Sequence, residues 1–294
     1  MFVSLGDGVS LMLNAGFGSS NCLFVEGERR VLVETGGGKA LAGIEPDSVD
    51  MVINTHRHID HVKGNGLFPR AKVCVHAREK AAMDEVDLVA ASGGWNRFME
   101  GGFQDYMNEF PVATSDLYVH RPVDGTLCDG EVIDCGRSRI EVLHTPGHTA
   151  GHCSVFLPEE EVLFAGDICL TAAGPCYADP DADIDELMGS IDRLIAIKPK
   201  ALVSSHSKKI YNGDSAKVLV EFRDRVLKRE DRVLSAIKKK PSDIHTLAGM
   251  RLIYAMHPSH FVVFWEKCMI EKHLVRLEKA GLAGSSDEGV WYAA

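Results

Sequence analysis

Four side chains able to ligate a metal lie within six residues of one another in Thr55-His56-Arg57-His58-Ile59-Asp60-His61. Imidazole nitrogen and carboxylate oxygen are donors that zinc and similar ions take readily, provided rigid backbone holds them close together. The apolar run Met51-Val52-Ile53-Asn54 just before the segment predicts a strand that delivers it to a sheet edge. A tight turn after that strand aims His56 and His58 to one side. Asp60 and His61, at the start of the next helix, then face a second position nearby. The spacing therefore predicts one cluster serving two cations, whereas a satisfied polar turn would need none of this convergence.

Three further donors follow in order. His148 sits in Thr145-Pro146-Gly147-His148-Thr149, past an apolar run ending at Leu143, and Asp167 ends Phe164-Ala165-Gly166-Asp167. His206 follows Ala201-Leu202-Val203-Ser204. A lone loop His or Asp is more often a surface group. Repeated placement at strand ends, where rigidity meets solvent, makes all three candidates. His144 and His152 lie close in sequence and are read as supporting residues, and the other histidines as unrelated.

The surrounding pattern is mixed α and β. Short apolar or alternating runs at 9–13, 21–25, 30–34, 51–54, 72–75, 140–143, 153–157, 162–165 and 201–204 predict strands, and 77–89 and 183–197 predict helices. Residues 92–118 interrupt this rhythm with Trp95, Phe98, Phe103, Tyr106 and Phe110 among glycines. They read either as an insert packed on the core or as a flap over the site. Beyond residue 212 strand signals give way to helices at 216–239, 244–250 and 260–280, with Gly281 as a C-terminal cap and a glycine-rich return. A division into 1–212 and 213–294 is expected.

The series H-x-H-x-D-H, P-G-H-T, G-D and a strand-terminal S-H resembles that of the metallo-β-lactamase superfamily, over roughly residues 1 to 210. The resemblance implies a four-layer αββα sandwich in the α/β (α+β) class. It implies one metal on His56, His58 and His148, a second on Asp60, His61 and His206, and Asp167 bridging both. Zinc is the default cation, with iron or manganese also accepted by such a set. A bridging hydroxide would then attack a carbonyl or phosphorus, with Asp60 as the catalytic residue that holds or passes the proton. One departure is visible: Glu34-Thr35-Gly36 stands where relatives carry Asp, behind the histidine cluster.

The tail resembles a subgroup with a winged-helix-like C-terminal domain, which includes single-strand endoribonucleases. Between Arg223 and Lys240 eight Lys or Arg face three acids, a phosphate-tracking face or simply a solvated helix side. The substrate expected first is a small ester or thioester, as in the glyoxalase II branch. The alternatives are RNA and a non-catalytic metal-binding interaction protein. A net charge of −10 argues against a basic coat over the whole surface. Eight scattered cysteines without a C-x-x-C pair, no apolar run long enough to span a bilayer and no leader-like N-terminus predict a cytoplasmic enzyme without membrane contact. A homodimer is compatible with all of this.

Overall fold

The computed structural model describes residues 2–14, 16, 18–84, 93–99, 101, 102, 104, 105 and 121–294. Seven strands lie side by side in chain order: β1 (Phe2–Gly6), β2 (Val9–Met12), β3 (Cys22–Val25), β4 (Val31–Val33), β5 (Met51–Ile53), β6 (Lys72–His76) and β7 (Gly125–Leu127). The first four form an antiparallel meander, and β4 to β7 run parallel. A six-stranded sheet has the order β13 (Tyr211–Asn212), β12 (Ala201–Val203), β11 (Val162–Phe164), β10 (Cys153–Leu157), β9 (Arg139–His144), β8 (Val132–Asp134). Only its β11–β12 pair is parallel.

The two-residue period of a strand sorts side chains between layers. Val31, Val33, Met51, Ile53, Val162 and Phe164 point into a core shared by the two sheets. Their neighbours Leu32 and Val52 point to the opposite face, with Leu41, Ile44 and Phe68 from the connecting turns over them. Leu163 and Leu202 point away from the shared core on the second sheet, toward Leu187, Ile191 and Leu194 of a covering helix. The short helices α1 (Ile59–Val62) and α2 (Ala77–Asp84) follow β5 and β6, and α2 packs on β6 and β7. Residues 85–89 of the expected second helix lie outside the described residues. The covering helix is α3 (Ile184–Ile197), whose N-cap Asp183 accepts from the amides of Asp185 and Glu186. The expected αββα arrangement is thus present.

The expected C-terminal helices are α4 (Ser215–Lys239), α5 (Ile244–Gly249) and α6 (His260–Lys279), followed by the hairpin β14 (Ala283–Ser285) and β15 (Trp291–Ala293). Gly281 has φ of 72° and caps α6. Leu219, Phe222, Val226, Val233 and Ile237 of α4 belong to the same buried cluster as Leu163, Leu202 and the inner face of α3. Trp95 packs on Phe261 and Phe264 of α6 at ring-centroid separations of 5.2 and 5.1 Å, as the core-packing reading of the insert expects. Phe103, Tyr106 and Phe110 lie outside the described residues.

Because the cluster is continuous, truncating Phe222, only 2% exposed, would be felt in the sandwich. Phe222→Ala is expected to lower stability by about 3–5 kcal/mol. Urea unfolding followed by tryptophan fluorescence and by far-UV dichroism should show one shifted transition with both probes.

Candidate metal centre

All seven expected donors lie at one end of the two sheets, each just past a strand or on the helix that follows it. His56 and His58 follow β5, and Asp60 and His61 lie in the first turn of α1. His148 follows β9, Asp167 follows β11 and His206 follows β12. Two glycines in the motifs are required by backbone shape. Gly147 has φ of 121°, and a Cβ there would stand 2.2 Å from the Leu187 amide nitrogen. Gly166 has φ of 58°, with His152 Nε2 2.5 Å from where a Cβ would sit.

Three imidazole nitrogens converge in the first group. His56 Nε2 is 2.9 Å from His58 Nδ1, and His148 Nε2 is 3.2 Å from each of them. The opposite nitrogens are engaged outside the cluster. His58 Nε2–H donates to Asp179 Oδ2 at 2.9 Å, and His148 Nδ1–H donates to the Cys176 carbonyl at 2.9 Å. His56 Nδ1 lies 3.0 Å from the Thr55 hydroxyl and can donate to it. An imidazole that donates outward presents a lone pair inward. Burial holds His56 well below the usual histidine range and lowers His148 as well. For His58 burial is outweighed by the charge and hydrogen bond of Asp179, which raise it.

The second group is His61, His206 and Asp60. His61 Nε2 and His206 Nε2 are 3.2 Å apart, and Asp60 Oδ2 is 3.5 Å from His206 Nε2. Asp167 stands between the groups with one oxygen for each. Its Oδ1 lies 3.3 Å from His61 Nε2 and 3.2 Å from His206 Nε2, and its Oδ2 lies 3.4 Å from His148 Nε2. Burial would raise its carboxyl, but His206 and His61 hold it well below the usual carboxylate range. Behind His61, Glu34 Oε1 is 3.3 Å from Nδ1 and accepts from the Thr55 amide at 3.0 Å. Glu34 fills the supporting place with φ of 68°, an unusual backbone for a residue with a side chain.

Sequence reasoning missed the layer that holds these donors. Arg57 is buried, and its guanidinium bonds Glu79 at 2.9 Å, Asp179 at 2.8 Å and both oxygens of Asp181 at 2.8 and 3.0 Å. Asp179 is therefore fixed by Arg57 on one side and supports His58 on the other. The signal was present in the acidic run Asp179-Pro180-Asp181-Ala182-Asp183, but only the fold brings it to Arg57. Glu79 also accepts from the Gly151 amide at 2.7 Å. His152 accepts from the Asp167 amide at 2.8 Å and reaches the Thr145 carbonyl at 2.9 Å, the supporting role read for it. Burial pushes it down to about 3, so it is a neutral strut. His144 instead stacks on His76 at 4.0 Å between ring centroids.

The donor set fits a pair of divalent cations. Metal–nitrogen bonds of 2.0–2.1 Å place tetrahedral ligand atoms about 3.3 Å apart, and the first trio is already close to that spacing. Buried Asp167 Oδ1, His61 Nδ1 and Glu34 Oε2 make no hydrogen bond of good geometry, although the first two have oppositely charged neighbours within 3.3 Å. Converging lone pairs and unsatisfied buried polar atoms are stable only around positive charge.

Residues 15–206 match the model of the metallo-beta-lactamase superfamily. The chain belongs to that superfamily, and it is a hydrolase of the class, with a dinuclear divalent metal site implied by the fold. It is 25% identical over 287 residues to a beta-lactamase-like protein 2 homolog of Drosophila melanogaster, covering 92% of this chain and 87% of that protein. It is 28% identical over 235 residues to a hydroxyacylglutathione hydrolase of Mesorhizobium japonicum, covering 79% and 74%. A metallo-beta-lactamase family protein of Thermus thermophilus superposes with a TM-score of 0.77 at 24% identity, over 99% of this chain and 100% of that one.

Removing the Arg57 guanidinium would strand three carboxylates that now share it. Arg57→Met is expected to lose about 3–5 kcal/mol in urea denaturation, the range for breaking a buried ionic network. Arg57→Lys should recover only part of that, because one ammonium cannot reproduce the fork.

Proposed function

We propose that the chain is a dinuclear metal-dependent hydrolase of a small ester or thioester. His56, His58 and His148 would hold one metal and Asp60, His61 and His206 the other. The observation that carries this reading is Asp167, which aims one oxygen at each group. Zinc suits the imidazole-rich set, and iron or manganese is compatible with its carboxylates. When bound, such a pair supplies an activated water and Lewis acidity toward an acyl oxygen. The chain's own residues then orient the reactants. His58 and His148 are locked in rotation and tautomer from outside, so their inner faces stay aimed. Asp60, with its side chain 27% exposed against 10% for Asp167, is the carboxylate of the cluster best open to solvent, and it would hold the proton and pass it out.

Hydrolysis of a hydroxyacylglutathione, the activity named for one relative, is acyl transfer to water, the chemistry proposed for this site. The basic run of α4 gives RNA less support than its composition suggests. Arg223 pairs with Asp192, Arg225 holds the carbonyls of Thr171 and Ala172, and Arg229 is buried. That leaves five of the eight cations for a phosphate backbone. In the same reading residues 1–212 form the catalytic sandwich and 213–294 a winged-helix-like cover, supported by three helices and a two-stranded hairpin. Eight free thiols suit the reducing cytoplasm, and no described helix is long and apolar enough to cross a membrane.

Protein stripped by a strong chelator should lose acyl-thioester turnover and regain it as two equivalents of zinc, manganese or iron are restored. Full turnover by verified metal-free protein would sink the reading. Salt-sensitive cleavage of labelled single-stranded RNA, with no thioester or ester turnover, would replace it by the nuclease reading. Asp60→Asn should lower kcat by about 10²–10⁴-fold, the usual contribution of a positioned acid–base group. Metal content should be measured alongside, because Asp60 is also a candidate ligand.

A further inference from the structure

Arg229 of α4 is buried at 2% exposure, and among the described residues no carboxylate bonds its guanidinium. Its partners are instead the carbonyl of Pro175, the carbonyl of Ala173 at 2.6 Å and the hydroxyl of Tyr177 at 3.3 Å. The rings of Tyr177 and Tyr254 each lie 5.7 Å from the guanidinium carbon. One helical turn earlier, Arg225 holds the carbonyls of Thr171 and Ala172 at 2.9 and 3.2 Å. Two arginines spaced i, i+4 share one face of α4, and together they take four carbonyls from a single run of five residues.

A buried guanidinium satisfied by carbonyl dipoles is a costly way to gain stability. The run it grips leads directly into the first donor group. The next residue, Cys176, offers the carbonyl that fixes His148 through Nδ1–H at 2.9 Å. Tyr177, on the other side of Cys176, is held by Arg229 and by His273 Nε2 of α6 at 2.7 Å. Fixing Ala173 and Pro175 before Cys176 and Tyr177 after it fixes the plane of the planar 176–177 peptide. Gly174 marks the tightness of the grip, since a Cβ there would stand 2.9 Å from Arg229 Nη2.

We infer that Arg229 is a positioning residue for the first metal group, acting through the Cys176 carbonyl on the orientation and tautomer of His148. The C-terminal helices then tune one half of the site and leave the other half alone, because among the described residues nothing they grip touches His61 or His206 in this way. The inference rests on the reading that His56, His58 and His148 hold a metal.

The test measures stepwise zinc affinities by competition with a chromophoric chelator, in wild type, Arg229→Met, Arg229→Lys and Tyr177→Phe. His58→Ala and His206→Ala assign the two steps. Cobalt(II) absorption of the first site and thermal unfolding of each metal-free protein are recorded in parallel. Loss of a group that orients a ligand typically weakens metal binding about 10–100-fold. Arg229→Met should weaken the step assigned by His58→Ala by at least about 10-fold and shift the cobalt bands, with the step assigned by His206→Ala within about 3-fold of wild type. Arg229→Lys should fall between, since an ammonium can keep one carbonyl. Lower stability with both affinities and the cobalt spectrum unchanged would overturn the inference and leave Arg229 a fold residue. If Arg229→Met does not fold, the lysine and Tyr177→Phe variants decide by the same readouts. No zinc-binding step that His58→Ala removes would overturn the ligand reading itself, a result distinct from failure at Arg229.

Discussion

The centre is a bundle in which imidazole crowds imidazole and carboxylate crowds carboxylate. Three imidazole nitrogens lie within 3.2 Å of each other, and the carboxylates of Asp60 and Asp167 press against two more. In metal-free protein, desolvation and neighbouring imidazoles push His56 and His148 toward neutrality, whereas Asp179 favours the charged form of His58. Six carboxylates, Glu34, Asp60, Glu79, Asp167, Asp179 and Asp181, line or back the cluster against the cations Arg57 and Lys63. That formal surplus of four negative charges is what two divalent cations match. Much of the surrounding architecture serves to keep this unfavourable assembly from relaxing.

Rigidity comes from two directions. From below, the strands of both sheets end at the site, so each donor is anchored within a few residues of fully buried β structure. From the side, the segment 171–181 runs past the first trio and supplies the partners of His148 and His58 from Cys176 and Asp179. Arg229 grips one end of that segment and Arg57 the other. Each arginine is buried, yet their satisfaction differs: Arg57 neutralises carboxylates, whereas among the described residues Arg229 bonds only carbonyls and a phenol. Charge at Arg57 offsets the acidic backing of the site, while geometry is the main thing Arg229 can provide.

Legibility in the sequence followed burial. Strands with both faces covered, such as Met51–Ile53 and Val162–Phe164, read as short apolar runs and were found to within a residue or two. The four strands that the pattern leaves unread, β1, β7, β8 and β13, are the edges of the two large sheets. An edge strand buries little, so its period-two signal fades, and Gly125 and the two-residue length of β13 weaken it further. The seven candidate donors were legible because a metal site of the proposed kind demands particular residue types at strand ends in a particular order. Their supports were not, because a hydrogen bond from His58 to Asp179 spans 121 positions and constrains only one residue at each end.

The basic stretch of α4 illustrates a further limit of composition. Eight cations in a short helical stretch suggest a polyanion partner, yet the face of a helix decides what each cation does. Arg225 and Arg229 lie on the face turned toward the sandwich, beside Phe222 and Val226, and spend their donors on backbone. Arg223 is neutralised locally by Asp192 and Asp224. The cations most able to meet an external phosphate are those past this contact, toward Lys238, Lys239 and Lys240. The same helix therefore joins the sandwich core through its apolar stripe and reaches the metal centre through its arginines. Its charge speaks first about the site it braces and only then about any partner outside.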